Sequence, residues 1–234
     1  MRPHLNPAPA DTRPGVQTHD PFEPNVPGQP IAACETLNDA ALLALMLRRS
    51  GTARGLAADL LMRFGGLGDI VAADPAELAR VRGMQPGVIS DLKLLRELAV
   101  RLARIEASRR PVIASWGALV AYVRVALAHR PREQFRALYL DNRNTLLRDE
   151  LVADGTIDHA PVYPREVVRR ALELSAAAFI LVHNHPSGDP DPSRADIEMT
   201  RQIMEAARVF GLRVHDHIVV GRNGTASFKA LGLI

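Results

Sequence analysis

The stretch AFILVHNHPSGDPDPSRAD, residues 178–196, contains the pattern that decides how this chain folds. It starts with an apolar run that predicts a buried β-strand over 178–183. A loop rich in proline and glycine then reverses the chain. Ser193 begins a second pattern, which predicts a helix that runs to Phe210. The stretch therefore predicts a strand, a loop and a helix, with polar side chains where the strand ends and the helix begins.

Three side chains in this stretch have the chemistry and the spacing of metal ligands. His183 and His185 are two residues apart, so on an extended backbone both imidazoles point to the same side. A helix that starts at Ser193 places Asp196 one turn in, where its carboxylate can supply a third ligand. Such a set suits zinc and leaves a fourth position for water, as in catalytic zinc sites. Ser193 is also placed to donate a hydrogen bond to an oxyanion.

The same residues have structural interpretations that the sequence leaves open. Histidines after a strand can cap backbone groups, and Ser193-x-x-Asp196 fits a capping box, in which the two side chains satisfy the first turn of a helix. Capping and metal binding are compatible. A second His-x-His pair, His215 and His217, lacks a nearby third ligand. We interpret His217 and the intervening Asp216 as support for the first site rather than as a second metal site.

Composition divides the chain into three parts. Residues 1–30 contain eight of the seventeen prolines and few large apolar side chains, which predicts a disordered or extended tail. Residues 31–110 repeat apolar positions at helical spacing and predict a small helical domain. Arg109-Arg110-Pro111 interrupts that pattern, and residues 111–234 combine strand and helix patterns, as in a mixed α/β domain. The predicted fold class is therefore α+β.

Local patterns predict the elements of both domains. In the helical domain they predict helices over 40–49, 54–64 and 75–79, then a glycine-containing turn at 83–87 and a long helix to residue 105. In the second domain they predict helices over 116–128, 164–174 and 193–210 and strands over 134–140, 145–153, 178–183 and 212–220.

Length and composition exclude several classes of protein. A chain of 234 residues with 47% hydrophobic and 24% charged residues is globular in composition, not fibrous or wholly disordered. No apolar run reaches the roughly 20 residues of a membrane-spanning helix, so we expect no membrane association. The single cysteine, Cys34, excludes an internal disulfide and cysteine-ligated zinc, and we expect a cytoplasmic protein. The net charge of +3 is weak support for nucleic-acid binding.

The metal-ligand motif and its flanks resemble a known family. His183-x-His185-Pro-Ser-Gly, with seven residues between His185 and Ser193 and then Asp196, resembles the JAMM motif of the JAB/MPN metalloprotease fold. Two further segments extend the resemblance to the bacterial RadC family, over about residues 111–234: VYPREVV at 162–168 and VHDHIVVG at 214–221.

The resemblance implies a JAB/MPN domain of cytidine-deaminase-like architecture. It implies that Zn²⁺ is bound by His183, His185 and Asp196 and that Ser193 has the oxyanion role. Many relatives have a histidine where this chain has Tyr163, so we do not expect that position to be essential.

The general base is implied by the resemblance alone. The family uses a glutamate on an early strand, and the pattern Glu-x-x-x-x-Leu-x-Leu points to Glu133, fifty residues before His183. Glu150 and Glu166 are the competing candidates. Glu133 would take a proton from the attacking water and pass it to the leaving amine.

Residues 81–90 resemble a helix-hairpin-helix element, in which a glycine-rich turn aims backbone N–H groups at a DNA phosphate. Gln85 stands where the usual hairpin has its second glycine.

The motifs of the two domains lead to two hypotheses about function. The first is a zinc-dependent hydrolase that cleaves a peptide or isopeptide amide in a peptide or protein substrate. The alternative is a DNA-associated RadC-type protein with a structural or inactive metal site and DNA bound by the helical domain. The oligomeric state is left open.

Overall fold

The computed structural model describes residues 34–48, 55–155 and 162–234. The tail predicted at residues 1–30 lies outside these ranges. The described residues form eight α-helices and a five-stranded mixed sheet. The predicted fold class, α+β, is therefore confirmed in outline.

The first five helices pack around an apolar core of their own. They are α1 (Asp39–Arg48), α2 (Leu56–Phe64), α3 (Leu67–Ala72), α4 (Pro75–Ala79) and α5 (Pro86–Ser108). Leu60, Ile70 and Leu92, from α2, α3 and α5, are fully buried in this core. The domain limits at residues 31–110 and 111–234 stay a prediction.

Helix α3 was not predicted, because the three glycines at 65, 66 and 68 are typical of a turn. Gly65 does end α2 with a left-handed φ of +97°. Gly68, however, lies inside α3, where an added Cβ would come within 2.5 Å of the His129 ring. This glycine therefore serves close packing within a helix, which the sequence does not distinguish from turn chemistry.

The segment that resembles a helix-hairpin-helix element joins α4 to α5. Asp74 caps α4 by accepting a hydrogen bond from the Ala76 N–H at 2.8 Å. Gly83 turns the chain with a φ of +85°. Gln85 is the N-cap of α5, and its side chain makes no capping hydrogen bond. A helical hairpin is thus present, whereas its DNA-binding role stays a prediction.

The remaining elements form the sheet and its covering helices. The helices are α6 (Trp116–Leu127), α7 (Pro164–Glu173) and α8 (Arg194–Val209), and the strands are β1 (Gln134–Leu140), β2 (Leu146–Asp154), β3 (Ala178–Asn184), β4 (Arg213–Gly221) and β5 (Gly224–Ser227). All were predicted except β5, whose four residues are too few to show a period. The strand order is β2-β1-β3-β4-β5, with β3 and β4 parallel and the other pairs antiparallel.

Helices cover the two faces of the sheet, which explains why β3 is buried along its whole length. Ile180 and Val182 belong to the core that α6 forms on one face. Phe179 and Leu181 belong to the core that α7 and α8 form on the other. The alternation follows from the two-residue period of a strand, and it places His183 on the face covered by α7 and α8.

Candidate metal centre

His183, His185 and Asp196 converge where β3 ends and α8 begins. The His183 Nε2 atom lies 3.0 Å from His185 Nε2 and 3.3 Å from the Asp196 Oδ1 atom. His185 Nε2 lies 3.5 Å from Asp196 Oδ2. Of the His, Cys, Asp and Glu side chains that the structure describes, these three have ligand atoms close enough together to hold one metal ion. The structure thus brings together the three predicted ligands.

The outer nitrogens of both imidazoles are already used. His185 Nδ1 donates to the Asp189 carbonyl at 2.8 Å, within the loop that follows β3. His183 Nδ1 lies 2.7 Å from Nε2 of His217 on β4. A neutral imidazole has one N–H, so a donating Nδ1 leaves Nε2 with a free lone pair. Both lone pairs then face the Asp196 carboxylate, and such a set of acceptors is stabilised by a cation.

A chain of hydrogen bonds fixes the direction of the His183–His217 contact. The Asp196 backbone carbonyl can only accept, so the Thr200 hydroxyl donates to it at 2.6 Å. Thr200 then accepts from His217 Nδ1, also at 2.6 Å. His217 therefore presents the lone pair of Nε2 to His183, and His183 must donate. This relay, defined as His217 and Thr200, orients the imidazole of a candidate ligand.

Burial and charge set the protonation of the site. His217 is fully buried, and this burial, together with the neighbouring His183, lowers the pKa of its imidazole well below the usual value. Partial burial raises the pKa of the Asp196 carboxyl, but the hydrogen bonds that His183 and His185 donate in their protonated forms outweigh it and hold that pKa far below its usual range. The pKa of His185 is raised, first because its protonated form donates a hydrogen bond from Nε2 to Asp196, so this nitrogen favours a cation. The centre therefore holds an ionised carboxylate at neutral pH.

The structure confirms the capping interpretation of Ser193 and Asp196. The Ser193 Oγ accepts from the Asp196 N–H at 3.2 Å, and Asp196 Oδ2 accepts from the Ser193 N–H at 2.7 Å. This capping box starts α8 and holds the Asp196 carboxylate towards the two histidines. The hydroxyl proton of the exposed Ser193 is not used in the box. Capping and ligand placement are therefore the same local structure.

The three donor groups fit a zinc ion. Bonds of about 2.0–2.2 Å in a tetrahedral zinc site separate neighbouring ligand atoms by about 3.3 Å, which the three observed separations bracket. Imidazole nitrogen and carboxylate oxygen are ordinary zinc ligands. Three protein ligands leave one tetrahedral position unfilled by this chain.

Glu133 lies one residue before β1, on the side of the sheet that carries the histidines. Phe135, two residues later, pairs with His183 across β1 and β3, and their rings are stacked with centroids 6.0 Å apart. Alternation along the strand places Glu133 on the same face. Its charge is among the smaller causes that raise the pKa of His185, after the hydrogen bond to Asp196.

Asn184, between the two histidines, holds the backbone on each side of Glu133. Its side-chain oxygen accepts from the Gln134 N–H at 2.9 Å, and its side-chain nitrogen donates to the Arg132 carbonyl at 3.1 Å. Asn184 is fully buried. The residue between the histidines thus ties the candidate base to the candidate ligands.

The competing glutamates have other partners. Glu150, on β2, accepts from Arg170 Nε at 2.7 Å, and this hydrogen bond lowers the pKa of its carboxyl. Glu166, on α7, accepts from Arg169 at 3.0 Å. Of the three glutamates considered, Glu133 is the one that the fold brings beside the histidines.

The second His-x-His pair is divided between two places. His217 contacts His183, which confirms its predicted supporting position. His215 contacts the side-chain oxygen of Asn144 at 2.6 Å instead. The buried Asp216 carboxylate does not contact the candidate ligands, but it accepts from the His217 N–H at 2.8 Å, and also from the Ser227 hydroxyl and the Lys229 N–H. Asp216 therefore supports the site only through the backbone of His217, and it also fixes the segment after β4.

Comparison with known proteins agrees with this site. The family model for the RadC-like JAB domain matches residues 113–233, just over half of the chain, and the match includes Glu133, Ser193 and all three candidate ligands. A UPF0758 protein of Rhodobacter capsulatus is 53% identical over 203 residues, which cover 86% of this chain and 95% of that protein. The chain belongs to the RadC family. A JAB domain suggests a metal-dependent hydrolase.

Two supporting residues of this RadC-family site were missed by sequence reasoning. Thr200 is four residues after Asp196 and so lies on the same face of α8, a spacing that could have revealed it. Asn184 gave no comparable signal, because its partners are at least 50 residues away in sequence.

None of the helices in the described ranges combines the length and the apolar composition that a membrane-spanning segment needs.

Proposed function

We propose that this RadC-family chain is a zinc-dependent hydrolase that cleaves a peptide or isopeptide amide bond. The observation that carries the proposal is the convergence of three acceptor groups, His183 Nε2, His185 Nε2 and the Asp196 carboxylate, within 3.0–3.5 Å of one another. Both Nδ1 atoms are engaged elsewhere, so the three acceptors have no donor of their own to share.

These three residues would hold the metal ion. A zinc ion bound there would polarise a carbonyl and lower the pKa of a bound water to roughly 7. The Asp196 carboxylate is ionised and the relay of His217 and Thr200 keeps His183 in the tautomer that a metal needs. Asp196 and His183 are therefore in the protonation states that a metal ion requires, and a metal ion would replace the proton that His185 favours.

Glu133 and Ser193 carry the proton transfer and the charge stabilisation in this proposal. Glu133 accepts a proton from the attacking water, whose oxygen bonds to the amide carbon. It then delivers that proton to the amide nitrogen as the C–N bond breaks, so that an amine and a carboxylic acid form. The Ser193 hydroxyl, whose oxygen already accepts from the Asp196 N–H, donates its own proton in a hydrogen bond to the developing oxyanion.

The decisive experiment separates metal binding from hydrolysis. Purified full-length chain and the variants Glu133→Gln and Glu166→Gln are assayed for zinc by atomic emission and for cleavage of peptide and isopeptide libraries. The half-buried Glu166 is the matched control, because its substitution makes the same charge change at a glutamate that pairs with Arg169 rather than with the cluster. We expect all three proteins to hold about one zinc per chain and only Glu133→Gln to lose activity, by at least about a hundredfold.

Two results would contradict the proposal. Hydrolysis that persists in protein free of zinc would exclude the metal from the reaction. Zinc bound at one per chain without cleavage of any library would favour the alternative, a DNA-associated protein with an inactive or structural metal site.

A further inference from the structure

A cleft of about 480 Å³ lies between α5, α6 and the start of β1. Its lining is dominated by arginine, with one acidic side chain, Glu97. The arginines are Arg96, Arg101, Arg104, Arg130 and Arg136. The lining therefore holds five cations and one anion, in a chain whose net charge is only +3.

Two of the five arginines are neutralised by carboxylates. Arg101 Nε lies 2.7 Å from Glu97, and Arg136 Nε lies 2.8 Å from Asp149, whose side chain is almost fully buried. The other three, Arg96, Arg104 and Arg130, form no ion pair within the part of the chain that the structure describes. Five arginines against Glu97 and Asp149 leave an excess of three positive charges, and Glu97 and Asp154 act on Arg96 or Arg130 only without an ion pair. Arg96 and Arg130 are partly buried, and partly buried cations without ion-pair partners are unfavourable.

Two of the three unpaired arginines, Arg96 and Arg130, are nevertheless held in place. Arg96 Nη2 donates to the Ala126 carbonyl at 2.7 Å, and Arg130 Nε shares that carbonyl at 3.4 Å. Ala126 lies in the last turn of α6, where the helix dipole favours cations. Each guanidinium has five N–H donors, so several remain for a ligand. Burial and the neighbouring Arg130 lower the pKa of Arg96 to about 10, and the side chain still stays charged at neutral pH.

Apart from the arginines and Glu97, the lining of the cleft is largely apolar. Val100 and Ile105 of α5 and Tyr122 and Ala126 of α6 line it beside the arginines. The volume is in the range of about 300–1,000 Å³ that is typical of small-molecule sites. A groove for nucleic acid would instead follow the backbone of an extended polymer. Apolar surface next to several guanidinium groups fits a small molecule with an organic part and a multiply charged anionic part.

The cleft is separate from the metal centre. Arg136 lies between Phe135 and Ala137 on β1, whose side chains belong to the core on the α7 and α8 face. Alternation along β1 therefore directs Arg136 to the opposite face, the one that α6 covers. A ligand in the cleft and a metal ion at His183 would lie on opposite sides of the sheet.

We propose that this arginine cleft binds a small organic molecule that carries a diphosphate or triphosphate group. Planar guanidinium groups bind phosphate oxygens through two parallel hydrogen bonds, and three unpaired arginines supply enough donors for two phosphates. The apolar residues of α5 and α6 contact the organic part. The site does not depend on the proposed hydrolase activity.

The test measures binding of ADP and of inorganic pyrophosphate to the full-length chain by isothermal titration calorimetry at constant ionic strength. We expect saturable binding of both, with ADP tighter because it also covers the apolar surface. Arg96→Gln and Arg130→Gln should each weaken ADP binding by about tenfold, the effect of losing one charge-assisted hydrogen bond. Arg130→Gln gives the same test if Arg96→Gln does not fold.

Two control variants locate the site. Arg165→Gln removes an exposed arginine from α7 and should bind ADP like the parent chain. Asp196→Asn alters the metal centre and should also leave ADP binding unchanged, which excludes binding through a metal ion. The proposal is overturned if the cleft variants and Arg165→Gln respond alike. It is also overturned if a single-stranded oligonucleotide binds through these arginines whereas ADP and pyrophosphate do not bind.

Discussion

The chain carries the His-x-His pattern on two neighbouring parallel strands, and the two pairs behave differently. His183 and His185, at the end of β3, bring their Nε2 atoms to 3.0 Å. On β4, His217 contacts His183, whereas His215 contacts Asn144. Identical spacing on adjacent strands thus gives one pair of candidate ligands and one pair that is split.

A β-bulge explains part of the difference. Phe179 pairs with Val214 but Ile180 pairs with Asp216, so His215 is the extra residue of β4 at this point. The rule that residues two apart share a face holds only for a regular strand. The second part of the explanation is that the Nε2 atom of His217 already accepts a hydrogen bond from His183 and is not free to bind a metal ion. A pair of histidines is therefore a candidate metal site only where the strand is regular and the outer nitrogens have other acceptors.

The largest expected effect tests this contrast directly. His185→Ala and His215→Ala are a matched pair, because both side chains are partly buried. Removal of one of three ligands should reduce zinc affinity by at least about a hundredfold, whereas His215→Ala should leave it unchanged. Competition with a chromogenic chelator measures both affinities. Equal losses in the two variants would show that the second pair also binds the metal.

Asn184, the residue between His183 and His185, gives the next largest expected effect. Asn184→Ala removes the contacts to Arg132 and Gln134, so Glu133 should lose its position while the ligands remain. We expect about a hundredfold lower kcat in the hydrolysis assay with zinc still at one per chain. A parallel loss of zinc would instead place Asn184 among the supports of the ligands.

Asp216→Ala is the counterpart on β4. Asp216 accepts hydrogen bonds from the Lys229 N–H and from the buried His217 N–H, and the substitution removes the acceptor of both. The free energy of unfolding should fall by about 2–4 kcal/mol in urea denaturation. If Asp216→Ala were as stable as the parent chain, the segment after β4 would not depend on this carboxylate.

The contrast also shows which features could be predicted from the sequence. Local signals are sufficient for β3 and α8, because a continuous apolar run and a Ser-x-x-Asp cap depend only on neighbouring residues. The three candidate ligands lie on these two elements, so their convergence could be predicted. The bulge at His215 could not, because it arises from pairing between strands.

Long-range contacts account for the other features that were missed. Asn184 reaches Arg132 and Gln134 only because β1 and β3 are antiparallel neighbours. Glu133 could be named only through the resemblance to the RadC family, because no spacing rule connects it to His183. The arginine cleft likewise combines α5, α6 and β1, which are far apart in sequence.

A smaller effect tests the relay behind His183. Thr200→Val removes the hydroxyl that accepts from His217, so His217 is no longer held in one tautomer. Loss of such a supporting hydrogen bond should weaken zinc binding by about tenfold. Thr200→Ser retains the hydroxyl and should restore the affinity. Nitrogen chemical shifts of His217 should show one tautomer in the parent chain and in Thr200→Ser, and a mixture in Thr200→Val; identical shifts in all three would exclude the relay.

The smallest effect concerns the pH dependence of stability at His215. Burial first, and then the charges of Arg213 and Lys229, lower the pKa of this imidazole below its ordinary value of 6.5. The unfolded chain therefore binds a proton at a higher pH than the folded chain, and stability is lost as pH falls below about 6.5. His215→Asn removes this contribution, so its free energy of unfolding should fall less on acidification than that of the parent chain. Because His215 is only partly buried, the difference should be a few tenths of a kcal/mol by urea denaturation. If the free energy of unfolding fell more steeply on acidification in His215→Asn than in the parent chain, the fold would favour the charged imidazole of His215. The environment of His215 would then resemble that of His185, and the contrast between the two pairs would be weaker.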